Sequence, residues 1–142
     1  MKPVLTTSDA SLLRAFESCA LTPGQLPHRA HLRLAFIYLR LHPFGVALEL
    51  LRSRLQKFLA HHGASASVYH ETMTRAWLLA VRYFLAARPS VRSSAEFLRR
   101  CPVLLDKNIM ATHYSPEHMM SPAARAGFLE PDLDPIPGQS DS

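Results

Sequence analysis

A chain of 142 residues, 48% apolar and 19% charged, is long enough for one domain and apolar enough to bury a core, which argues against wholesale disorder. No run approaches the roughly 18 uninterrupted apolar residues of a membrane span, the start MKPVLTTSDAS lacks the apolar stretch of a secretory signal, and Cys19 and Cys101 are lone thiols without CxxC spacing. Together these features predict a soluble, cytoplasmic protein. The formal charge of +5 is split: residues 18–116 carry 13 Lys/Arg against four acids, and residues 117–142 carry one Arg against five. A basic body attracts anions, but apart from the Arg99-Arg100 pair the arginines stand singly, with no basic run beyond it and no Gly-rich loop. Nucleic acid is therefore not the expected partner.

Helical periodicity runs through the chain, and no strict alternation marks a strand. The first predicted helix starts after Thr7 or Ser8, has Asp9 in its first turn, and aligns Leu12, Leu13, Phe16 and Ala20 on one face. LTPGQLP breaks it. A second helix covers 27–41, HPFG makes a corner, and a third covers 46–62 with Gly63 as a left-handed stop. GASAS leads into a fourth helix over 68–87, ended by RPS, and a shorter fifth follows Ser93/Ser94 and ends before Pro102. Ser115-Pro116 and Ser121-Pro122 each pair a cap residue with a first-turn proline, predicting two single turns. The expected fold is all-α: a single-domain bundle of four to five main helices, with an irregular C-terminal arm packed on it, over residues 1–129. The Pro/Asp-rich tail 130–142 is expected to strap the surface at first and to be disordered beyond about Pro137.

Short connections favour antiparallel neighbours, so the start of the second helix, the end of the third and the start of the fourth share one end. His28 and His31, His61 and His62, and His70 with Glu71 then converge there. His70 heads the stripe Met73, Trp77, Ala80, Phe84, and His62 ends the stripe Leu51, Leu55, Phe58. The inward candidates are His28, His31, His62 and His70, while His61 falls outside. Trp77 itself reads as core.

Two readings stand side by side. In one, the charges suit the helix ends and the histidines donate hydrogen bonds to loop carbonyls. In the other, His28 and His31 at HxxH spacing join His70 to bind a divalent transition metal, zinc or iron, or His70 and Glu71 form a metal-free acid/base site.

The segments HRAHLRLAF, YHETMT and HYSPEHMMSPAARAGFLEPD resemble a family of small, uncharacterised, all-helical bacterial proteins with HxxHL, YHETxT and YS…SxxAR…PD motifs. The likeness covers about residues 28–132, with His113-Tyr114 standing where the family has a tyrosine pair. It implies a shared polar site that takes in Tyr69, His70, Glu71, Thr72 and Thr74. It also implies an arm folding back so that Tyr114 and Arg125 close the pocket, Arg125 offering a fixed cation unless it forms a surface salt bridge. The catalytic candidates are therefore His70, Glu71 and Tyr114, the ligand-binding candidates Arg125, Tyr69 and Thr74, and the metal candidates His28, His31 and His70. The expected function is a small enzyme or ligand-binding protein acting on a small molecule, an anion being one option. The alternative is a non-catalytic interaction module whose basic surface docks on an acidic protein or nucleic acid.

Overall fold

A computed structural model describes residues 4–138, and all regular structure among them is helical. The long elements are α1 (Thr7–Glu17), α2 (His28–Leu41), α3 (Phe44–His61), α4 (Glu71–Ala86) and the shorter α5 (Ser94–Arg100). Two single-turn helices follow, α6 (Pro116–Met119) and α7 (Pro122–Ala126). The bundle expected from periodicity is the bundle observed.

Helix α2 is the hub. Leu32 and the run Leu34–Tyr38 are buried right round the helix, because α1, α3, α4 and α5 all pack against it. Over that run the helix has neighbours on every side, whereas Arg29 and His31 in its first turn stay exposed. Helix α3 ends on a left-handed Gly63 (φ 76°), where the Ala64 amide donates to the Leu59 carbonyl at 2.9 Å and the Gly63 amide to Ala60 at 3.1 Å. That double bond pattern is a Schellman stop, and a side chain at Gly63 would strain it.

Helix α4 begins at Glu71 rather than Val68. Residues Ala66–Val68 form a separate 3-10 turn, Tyr69 is extended, and His70 becomes the cap, its Nδ1 accepting from the Met73 amide at 3.1 Å. Helix α3 starts earlier than expected, at Phe44, on a Pro43 cap. Gly45 is tolerated in its first turn, where the amides lack intrahelical partners in any case.

Asp9 does more than sit in a first turn. It is buried, and its carboxylate accepts from the Ser94 amide at 2.8 Å, from the Ser94 hydroxyl, and from Arg33 Nη2 at 3.2 Å. One carboxylate thus ties α1, α2 and α5 together.

The arm packs back along the bundle. Two 3-10 turns, Pro102–Leu105 and Lys107–Thr112, lead to α6 and α7, whose caps Ser115 and Ser121 accept from the His118 and Ala124 amides. The Thr72 hydroxyl in the first turn of α4 donates to the Gly127 carbonyl at 2.8 Å and accepts from the Leu129 amide at 3.0 Å. Residues 130–138 continue as a strap. Leu133 and Asp134 donate their amides to the carbonyls of His113 and Thr112, Ile136 is only 2% exposed, and Arg82 Nη2 donates to the Gly138 carbonyl at 2.9 Å. The strap is held as far as Gly138, and the disorder expected farther on falls at 139–142, outside the described residues.

Candidate functional site: a histidine-lined cavity and an arginine groove

The antiparallel run of α2, α3 and α4 brings three element ends together, and a cavity of about 500 Å³ lies there. His28 and His31 line it from α2, and Tyr69, His70 and Thr74 from the start of α4. The rest of its wall is largely apolar, with Leu55 and Phe58 from α3 and Met73 and Trp77 from α4. Trp77, expected to be core, is half-buried and forms part of this wall.

The three histidines differ in what their nitrogens do. Because His70 Nδ1 accepts the Met73 amide, its proton resides on Nε2, which donates to the Met119 carbonyl at 2.8 Å. Both nitrogens are thereby committed, one to the cap of α4 and one to the arm. His28 Nε2 lies 2.8 Å from the Leu104 carbonyl, and its ring meets Trp77 edge-on with centroids 4.5 Å apart. His31 is different: the residue is exposed, and it lines the cavity. Surrounding protein and the neighbouring His28 hold its pKa below the ordinary 6.5, against an opposing hydrogen bond to the Leu26 backbone. A neutral imidazole open to an apolar-walled cavity is the distinctive feature of this end.

Among the described residues no three His, Cys, Asp or Glu side chains are gathered so as to hold a metal ion. For His28, His31 and His70 to share one, His70 would have to release the Met73 amide or the Met119 carbonyl. His62, the fourth inward candidate, packs against Phe58 and His61 with ring centroids 4.6 and 4.9 Å away, and its buried Nε2 has no hydrogen-bond partner among the described residues.

Glu71 does not join His70. Arg52 holds it in a bidentate pair, Nε to Oε1 at 2.8 Å and Nη2 to Oε2 at 2.6 Å, and the Tyr69 hydroxyl donates to Oε1 at 2.8 Å. Burial alone would raise the Glu71 pKa, but these bonds outweigh it and set the carboxyl below the usual range. The Tyr69 phenol is pushed up to about 12, by burial first and then by its bond to Glu71, with Thr74 opposing. Glu71 lines a second hollow, a groove of about 750 Å³ between α3, α4 and α7, together with Arg52, Arg75 and Arg125. Tyr69 is the wall common to the cavity and the groove.

Tyr114 lines neither hollow. It is 2% exposed, its hydroxyl donates to the Leu129 carbonyl at 2.7 Å, and burial raises its pKa well above the normal tyrosine value. His113 is likewise a strap contact, Nδ1 bonding to the Asp134 carbonyl at 2.8 Å. Arg125 reaches the Ser67 and Val68 carbonyls at 3.3 Å each, at the pocket end but in the groove. The arm does dock where expected, yet it gives the cavity the Lys107 side chain and two carbonyl anchors for histidines rather than Tyr114 or Arg125.

Of the residues named from sequence, His28, His31, His70, Tyr69 and Thr74 thus share the cavity, whereas Glu71 and Arg125 share the groove. Arg52 was not anticipated; the signal for it was that a carboxylate one residue past an inward cap must find a cation if it too is buried. No family profile, curated protein or solved structure matches the chain.

Proposed function

We propose that the protein binds a small, largely apolar molecule in the α2–α3–α4 cavity and orients it through a hydrogen bond to the neutral imidazole of His31. The observation carrying this reading is His31 on the wall of a cavity of about 500 Å³ whose other walls are largely apolar, a size and character usual for small-molecule sites. The ligand should offer a hydroxyl or similar donor. If the bound molecule is also transformed, the general base falls to His31, which is neutral and open to the cavity. His70, with both nitrogens engaged, holds the scaffold. The basic-surface alternative has fewer free charges to draw on than the sequence suggests. Arg33 and Arg52 are paired with Asp9 and Glu71, and Arg40 and Arg82 donate to the Val91 and Gly138 carbonyls.

Trp77, the single tryptophan, lines the cavity and touches His28, so its fluorescence should report occupancy. Titration with 1-naphthol should give a saturable change. His31→Leu should weaken 1-naphthol about tenfold, roughly 1.4 kcal/mol, and leave naphthalene unchanged. No saturable change, or equal losses for both probes, would remove the proposal.

A further inference from the structure

The groove on the far side of Tyr69 has no part in the cavity reading, and its charges are unbalanced. Three guanidiniums, from Arg52, Arg75 and Arg125, line it, and among the described residues Glu71 is the acid that lines it. Arg52 and Glu71 satisfy one another through two short bonds. Arg75 makes no hydrogen bond or close ion pair among the described residues, and its charge acts on Glu71 only through space. Its guanidinium carbon lies 4.6 Å over the centroid of Phe128, and its Nε is buried without a partner. Among the described residues Arg125 is held only through Nη1, by two long bonds of 3.3 Å to backbone carbonyls, leaving Nε and Nη2 uncommitted there.

A guanidinium in this state lacks the paired oxygens its fork geometry suits. We infer that the groove binds a small organic oxyanion, a carboxylate or a phosphate ester, between Arg75 and Arg125. Two cations remain after the Arg52–Glu71 pair is set aside, so the anion meets net positive charge instead of displacing an existing partner. Phe128 supplies an apolar wall beneath Arg75, which favours an organic anion over a bare inorganic ion. Arg75 belongs to α4 and Arg125 to α7, so the bound anion bridges the seam between bundle and arm and ties the arm down.

The test is calorimetric and thermal titration of the full chain with inorganic phosphate and, separately, succinate, at ionic strength fixed by chloride. At least one anion should bind saturably and, at ten times its Kd, raise Tm by about 4–6 °C. Saturation by phosphate alone identifies a phosphate ester as the ligand class, and by succinate alone a carboxylate. R75Q and R125Q should each weaken binding at least tenfold, while R99Q, which removes an exposed charge outside the groove, should leave it unchanged. R125Q should also leave the Trp77 response to 1-naphthol intact, which separates failure of this site from failure of the cavity reading. Absence of saturable binding by either anion, or an R99Q loss equal to that of R75Q, would overturn the inference.

Discussion

Replacing His70 by Ala should cost stability through two separable contacts. The first is the cap: Nδ1 accepts the Met73 amide at 3.1 Å, and loss of a helix N-cap costs about 1 kcal/mol, within a range of roughly 0.5–2. The second is the tie to the arm, Nε2 to the Met119 carbonyl at 2.8 Å, whose loss costs about 1 kcal/mol or somewhat more where the carbonyl stays dry. The sum is about 2–3 kcal/mol out of a typical 5–15, or about 6–15 °C in Tm for a domain of this size. His70→Asn separates the contributions, because its side-chain oxygen can cap the Met73 amide but cannot reach Met119. It should cost only about 1 kcal/mol. Urea denaturation of the three proteins gives the ledger, and amide exchange across residues 113–127 should speed up in both variants, since both release the arm. A His70→Ala cost under about 0.5 kcal/mol, or an Asn variant as damaged as the Ala variant, would refute this account. A stable His70→Ala protein that had lost its ligand would instead return His70 to the candidate chemistry.

Three further outcomes follow from the same geometry. Arg52 and Tyr69 favour the ionised form of Glu71 in the native state, so its contribution is present above the ordinary pKa of 4.5 and is lost as pH falls through the lowered native value. Glu71→Gln should therefore cost about 1–3 kcal/mol at pH 7 and much less near pH 3; equal costs in urea melts at both pH values would contradict this. His31 disfavours its charged form when folded, so the native protein binds fewer protons than the unfolded chain below pH 6.5 and stability declines there as pH drops. An NMR titration should place its midpoint below 6.5, and His31→Leu should flatten that limb; a midpoint at or above 6.5 would be incompatible with the site described. Ile136, 2% exposed on the strap, should cost about 2 kcal/mol when cut to Ala, whereas a loss within error would mean the strap is not packed.

The fold was legible where local chemistry and periodicity agree. Gly63 after an apolar stripe, Ser115-Pro116, Ser121-Pro122 and Ser93 as caps all sit within a residue of their expected places, because caps and stops are decided by a few neighbouring residues. The start of α4 was not legible at Val68, since a histidine is a rarer cap than Ser, Thr, Asp or Asn, and its lone pair serves here only because the Met119 carbonyl fixes the tautomer from 49 residues away. Ile136 shows the same limit. One apolar residue among prolines and aspartates carries no period, so its burial follows from where the strap lies and not from its own neighbourhood.

The candidate site was legible as a place, while the partner of each side chain was not. Antiparallel topology sufficed to bring His28, His31 and His70 to one cavity, because it depends only on short connections. The sequence leaves open whether Glu71 flanks His70 in the pocket or faces away from it. Successive residues on a helix point about 100° apart, and here His70 is a non-helical cap while Glu71 is the first helical residue. Tyr69, extended just before them, completes the divergence: its ring stands between the hollows and its hydroxyl turns to Glu71. A titratable pair at the mouth of a helix is therefore split between two compartments, one with a neutral imidazole among apolar walls and one with arginines around a carboxylate. The two linings differ in charge and polarity, and this is why the naphthol and oxyanion titrations should respond to different mutations.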